Sequence, residues 1–193
     1  MSVEKVTELF AKLSTAASPE DRTAAGAEVV KAAKAAGIGS LVAVSASLKA
    51  ALEDASATAR EGALVAYSQL VAEFGAQSEP YLVPLIPALL ERASDKVAPV
   101  RTAAEAAAKA LFAVLNGYST ENVLPFLFDG MAQARSWQTK VLALQLLTGL
   151  AKTAPVQTAA CLHDIVPRLT GKLLPFDPCN PCHPCNSSNH AIL

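Results

Sequence analysis

The chain has little charge. Asp, Glu, Lys and Arg make up 17 % of its 193 residues and nearly cancel, to a formal net charge of -1. A typical soluble domain carries about 25 % charge. Bulk attraction to DNA, or to an anionic membrane, is therefore excluded, and any anionic partner would have to meet a local basic patch. Long apolar runs are missing as well. A membrane span needs roughly 20 consecutive apolar residues, and the best stretch, "YLVPLIPALL", is broken by Pro84 and Pro87. The opening "MSVEKVTELFAKL" has acids in its first turns and lacks the apolar core and small-residue cleavage site of a secretory signal. No membrane partner is expected, and the cytoplasm is the expected compartment. Three of the four cysteines crowd the C-terminal tail and Cys161 stands apart, so no disulfide framework runs through the body.

Catalytic signatures are also lacking. There is no G-x-x-x-x-G-K-[ST] loop to cradle phosphate, no G-x-S-x-G elbow and no H-E-x-x-H zinc helix. His163 is the only histidine before the tail. It lies two residues from Cys161, a spacing that points two side chains off a helix in divergent directions. The expectation is a non-enzyme with no catalytic, cofactor-binding or metal-binding residue.

What the chain does have is apolar sequence at helical spacing, 52 % of it by composition and rich in alanine. Val3, Val6, Leu9, Phe10 and Leu13 fall on one helical face. "SPED" then offers a serine cap, a first-turn proline and two acids to a second helix, with Gly37 and Gly39 as stop signals. Strand-like alternation is scarce, and the fold class is all-α.

Self-comparison reveals a repeat. Pro87, Pro125 and Pro167 are each preceded by two aliphatic residues and followed two residues later by Leu89, Leu127 and Leu169; they stand 38 and 42 residues apart. A proline within a helix kinks it at a cost of about 3 kcal/mol or more, so its return at one register predicts a shared bent helix. A second helix follows, begun by Arg60, Arg101 and Lys140, with Leu70, Leu111 and Leu150 ten residues on. This period belongs to helix pairs of the HEAT or armadillo kind, stacked as an α-solenoid. The predicted organisation is a cap of N-terminal helices over 1–40, about three and a half repeats over 41–174, and a disordered Pro/Cys-rich tail over 175–193. Leu85, Leu89, Leu127, Leu144 and Leu147 should be interior.

Candidate contact residues lie at the turns. Stacking would align Arg60, Arg101 and Lys140 into a ladder able to meet phosphate or acidic protein, although a basic residue at a helix start more often pairs with a turn acid such as Asp95. Lys96 and Arg135, in the turns themselves, are better placed to reach outward. Trp137 opens a helix in "ARSWQTK", where it either anchors a partner or, more commonly for so large an aromatic, packs between turns. Tyr81, Phe112, Phe126 and Phe128 read as core.

The stretches "EPYLVPLIPALLERASDKVAPVRTAAEAAAKAL", "VLPFLFDGMAQARSWQTKVLALQLLTGLAKTAP" and "CLHDIVPRLT" resemble the N-terminal HEAT region of fungal-type translation elongation factor three. The "EPY-hydrophobic-P" entry and the "W-Q-x-K" helix start are the more specific marks. The related ribosome-associated activator of the general amino-acid control kinase shares the second mark. The resemblance implies a cytosolic module acting in translation elongation that docks on ribosomal protein and ribosomal RNA. ATP and magnesium would belong only to the cassettes of the full-length family, which are absent from this sequence. Lys96, Arg101, Arg135, Trp137 and Lys140 are the docking candidates it implies. A generic protein-protein scaffold is the alternative that the fold alone would license.

The resemblance stops near Lys172. Pro175, Pro178, Pro181 and Pro184 forbid the helix that would complete the last pair, so a truncated form is expected, with an apolar flank of Leu162, Ile165, Val166 and Leu169 left uncovered and available for self-association. Cys179, Cys182, His183 and Cys185 lie within seven residues, with His190 beyond. They lack the second, well-separated ligand pair of a structural zinc site, and no functional metal site is expected there.

Overall fold

The computed structural model describes residues 3–16, 18–132 and 135–173. The described residues form helices and turns with no strand. The expected tail over 175–193, with its cysteines, lies outside them.

The helices alternate between two layers. One layer holds α1 (Val3–Thr15), α3 (Leu41–Leu52), the broken run of α5 (Glu79–Leu82) and α6 (Ile86–Arg92), α8 (Thr120–Gly130), and then α10 (Pro155–Ala160) with α11 (Leu162–Leu173). The other holds α2 (Pro19–Ala36), α4 (Ala57–Phe74), α7 (Ala98–Val114) and α9 (Trp137–Thr153). Within the second layer α2 packs on α4, α4 on α7 and α7 on α9. Across the layers α1 packs on α2, α3 on α4, α6 on α7 and α8 on α9. The architecture is therefore an α-solenoid of helix pairs, and α1 with α2 is itself a pair of the same build.

Local chemistry sets the helix ends. Ser18 caps α2 in a full capping box: its side chain accepts from the Asp21 amide while the Asp21 carboxylate accepts from the Ser18 amide. Gly37, at φ 83°, ends the same helix in a conformation that side-chain-bearing residues rarely adopt. Ser136 caps α9 by accepting from the Thr139 amide at 3.3 Å.

The three prolines do not share one bent helix. Pro125 and Pro167 lie inside α8 and α11. Around Pro87 the helix is cut into α5, a 3-10 turn over Val83–Leu85, and α6, where Pro87 occupies the first turn. The cause is Pro84, three residues earlier. Two prolines in one turn remove two backbone donors and clash twice with preceding carbonyls, so the chain breaks where a single proline only bends it.

The core runs the length of the stack. Leu85, Leu89, Leu127 and Leu147 are buried within it; Leu144 packs against it half-buried. Phe112 and Phe128 are buried, and Tyr81 and Phe126 partly so. Four bonds tie successive pairs. Tyr67 Oη donates to Leu82 O at 3.0 Å, and burial holds that phenol far above its ordinary pKa. Thr139 Oγ1 donates to Leu90 O at 3.1 Å, linking α9 to α6. Glu79, the acid of the "EPY" stretch, accepts from the Asn116 amide at 3.1 Å and from the Ser119 hydroxyl, so the start of the third pair holds the start of the fourth. Gly62 lets α4 come close to α1 at Leu13: an added Cβ would lie 2.9 Å from Leu13 Cγ and 3.2 Å from its carbonyl oxygen.

Candidate functional site: an arginine register and its open junction

Arg22, Arg60, Arg101 and Lys140 are the fourth residues of α2, α4, α7 and α9. A side chain at this position points back toward the helix N-terminus. Each arginine uses that direction in the same way. Arg22 Nη1 donates to Ala16 O at 3.2 Å. Arg60 Nη1 donates to Asp54 O and Ala55 O, both at 2.8 Å. Arg101 Nη1 donates to Asp95 O at 2.8 Å and Lys96 O at 3.1 Å. The guanidinium thus ties down the turn that enters its own helix. The aspartates that open two of these turns do matching work, Asp54 accepting from the Ser56 amide at 2.7 Å and Asp95 from the Val97 amide at 3.0 Å.

The other side of each guanidinium faces the next pair, and there the junctions differ. Arg22 Nη2 lies 3.1 Å from Glu61 Oε1, on the fifth residue of α4. Arg60 grips Asp95 with two bonds, Nε to Oδ2 at 2.8 Å and Nη2 to Oδ1 at 3.1 Å. The Arg60 and Asp95 side chains are only 11 % and 4 % exposed. Burial by itself would raise the Asp95 pKa, but the bonds from Arg60 and the Val97 amide, with the charges of Arg60 and Arg92, outweigh it and hold the carboxyl below its ordinary range. The expected pairing of a helix-start basic residue with Asp95 is thus made by Arg60.

Arg101 differs. Among the described residues no carboxylate lies within ion-pair distance of it. In the sequence, Ala134 stands where Asp95 stands one repeat earlier, and Val141 stands where Glu61 stands. Arg101 instead lines a cleft of about 250 Å³ between α7 and α9, with Thr102, Glu105, Trp137 and Val141 on its walls. Trp137 is 70 % exposed and Val141 43 %. The common fate of a large aromatic, packing between turns, is not that of Trp137.

The structure therefore brings two of the five candidates, Arg101 and Trp137, into one cleft. Lys96 is exposed in the adjoining turn, its carbonyl bound by Arg101. Arg135 is bridged to Asp129 at 2.7 Å in an exposed pair. Lys140, half-buried, sits one turn into α9 from Trp137. Sequence reasoning missed Arg22, although it lies 38 residues before Arg60 and was there to be found. Val141 and Glu105 went unseen because their importance depends on which face of α7 meets α9.

Among the described residues nothing nucleophilic gathers elsewhere. Cys161 is buried, and its pKa is raised by burial first and then by the charges of Glu121 and Asp164, so it stays a protonated thiol. His163 is exposed beside Asp164. Among the described residues no group of three or more His, Cys, Asp or Glu side chains is placed to hold a metal ion, and no helix is long and apolar enough to cross a membrane. On α11, Leu162 and Val166 are exposed, Ile165 is buried and Leu169 is half-buried; Arg168 stacks over the Phe128 ring at 4.8 Å. The uncovered flank is thus narrower than the four residues expected.

Stacked helix pairs, with an arginine at the head of α2, α4 and α7, make the chain an α-solenoid of the HEAT kind. More narrowly, residues 22–174 match the family described as EF3 N-terminal HEAT repeat, and the chain belongs to that family. It is similar to elongation factor 3 of Gonapodya prolifera, at 39 % identity over 178 residues covering 87 % of this chain and 16 % of that protein. It is also similar to the protein ILITYHIA of Arabidopsis thaliana, 42 % identical over 122 residues, which cover 63 % of the chain and 4 % of the relative. The human stalled ribosome sensor GCN1 is 40 % identical over 111 residues, 58 % of the chain and 4 % of the relative. The chain therefore spans a small part of the relatives it matches, and it is a HEAT module of the kind found in translation factors.

Proposed function

We propose that this chain is a non-catalytic, ribosome-docking HEAT module that acts in translation elongation in the cytoplasm, using no nucleotide or metal of its own. Docking runs along the turn edge, through Lys96, Arg101, Arg135, Trp137 and Lys140. The observation that carries the reading is Trp137, an exposed tryptophan at the mouth of a helix beside an arginine with no acid partner among the described residues. Exposed Trp and Arg are the residue types that most often dominate protein interfaces. Membership in the EF3 N-terminal HEAT family supports ribosomal protein and ribosomal RNA as the surface met. The stalled ribosome sensor among the relatives supports the same surface for the kinase-activator branch of the reading. The test is co-sedimentation with ribosomes. Binding at low salt that weakens as salt rises, and that falls further in K96E/R135E, supports docking by this edge. Folded wild-type chain that stays in the supernatant at low salt rejects it, and a pull-down dominated by a non-ribosomal protein favours a generic scaffold. Self-association through Leu162 and Val166 is a separate limb of the proposal; sedimentation that is independent of concentration removes it.

A further inference from the structure

Three junctions place an arginine at the fourth position of a second-layer helix, and in two of them the molecule itself shows what that position takes. Arg22 takes the carboxylate of Glu61, and Arg60 the carboxylate of Asp95. At the third junction the guanidinium is held in the same way by the carbonyls behind it, oriented but without an acid among the described residues. Both sequence positions that could supply one hold apolar residues, Ala134 and Val141. In place of the acid there is a cleft of about 250 Å³, walled on the α9 side by Trp137 and Val141 and on the α7 side by Thr102 and Glu105.

We infer that this cleft binds an extended acidic segment of a partner protein, one carboxylate on Arg101 and a neighbouring aliphatic side chain against Trp137 and Val141. The inference rests on the docking reading and names what the edge recognises. Charge and shape both select this partner. The backbone carbonyls fix the guanidinium before binding, so little side-chain freedom is lost when the carboxylate arrives. An indole that remains exposed in the free chain gains most from an aliphatic contact that removes it from water. A nucleic acid strand fits less well. The walls carry a single cation, Arg101, beside the carboxylate of Glu105, a setting that suits one carboxylate placed on the guanidinium and not a strand bearing a charge at every phosphate.

Trp137 is the chain's one tryptophan, so its emission reports on this cleft and nowhere else. The probe is an acetylated, amidated hexapeptide alternating leucine and glutamate, which contributes no indole signal. Titrated into the full chain, it is expected to move the Trp137 emission to the blue, saturably and below about 1 mM. Two variants make the assignment. R101Q removes the guanidinium, and V141E gives Arg101 an internal carboxylate at the position where Glu61 serves Arg22. Each should weaken the peptide by about tenfold or more, while far-ultraviolet circular dichroism stays that of the wild type. The peptide with glutamine in place of glutamate should be equally weak. No saturable shift up to about 1 mM, a shift untouched by R101Q and V141E, or a shift given by a uridylate decamer and not by the acidic peptide would each overturn the inference. Ribosome co-sedimentation of the same proteins separates the two readings. Wild-type chain that pellets with ribosomes while failing to bind the peptide leaves docking intact and removes the acidic segment. Peptide binding lost in R101Q, with no pelleting by the wild type, keeps the cleft and removes the ribosome.

Discussion

The junction between the second and third pairs and the junction between the third and fourth begin from the same register and end differently. At the first, Arg60 closes on Asp95 in a pair nearly sealed from water. At the second, Arg101 is anchored to the same two carbonyl positions behind it but opens onto Trp137 and Val141 in a cleft. The lesson is that a repeat arginine has two separable jobs. Tying down its own turn is structural and recurs at every arginine of the register. Meeting an acid is optional, and where the acid is withheld a pre-oriented cation is left at the surface.

The largest loss is expected at the closed junction. D95A leaves Arg60 buried without its partner and should cost about 3 kcal/mol or more in urea unfolding; a loss below 1 kcal/mol would mean that water replaces the carboxylate freely. The pH dependence sharpens the same point. The Asp95 pKa is lowered in the folded chain, so its contribution is complete above the unfolded value, near 3.8, and is lost as pH falls through the lower folded value. Acid unfolding below about pH 4 should therefore be less steep in D95N than in the wild type; identical slopes would remove Asp95 as the acid-sensitive group. A smaller effect belongs to the open junction's own packing. T139V deletes the hydroxyl that binds Leu90 O and should cost about 1 to 2 kcal/mol, seen as a lowered urea midpoint with an unchanged slope. The smallest is W137A. An indole exposed to this degree contributes little to the fold, so stability should move by no more than about 0.5 kcal/mol. A large loss would show that Trp137 packs after all.

Much of this was legible in the sequence because the solenoid repeats its chemistry. The Ser18 cap, the heads of α4, α7 and α9, and the pairing of a helix-start arginine with Asp95 all follow from spacing and residue type. Arg22 escaped because the alanine-rich second helix matches many helices by composition alone, so the register of the later repeats was not carried back to it. The break at Pro87 was written in Pro84, but a register drawn through one proline per repeat hides the second. Trp137 was left open between partner contact and packing for a deeper reason. Hydrophobicity alone predicts burial, and only the neighbours decide it; α9 turns Leu142, Ala143, Leu146 and Leu150 inward and leaves its first residue at the rim. The cleft needed three dimensions, since its walls come from two helices and its meaning from the junction before it.

One register is closed at Asp95 and open at Trp137. Urea unfolding of R60Q and R101Q, side by side, tests it most directly. R60Q leaves a buried acid and should lose about 3 kcal/mol, whereas R101Q gives up only hydrogen bonds to its own turn and should lose about 1 kcal/mol or less. Equal losses would contradict the account, because Arg101 would then have a hidden partner as strong as the one Arg60 has in Asp95.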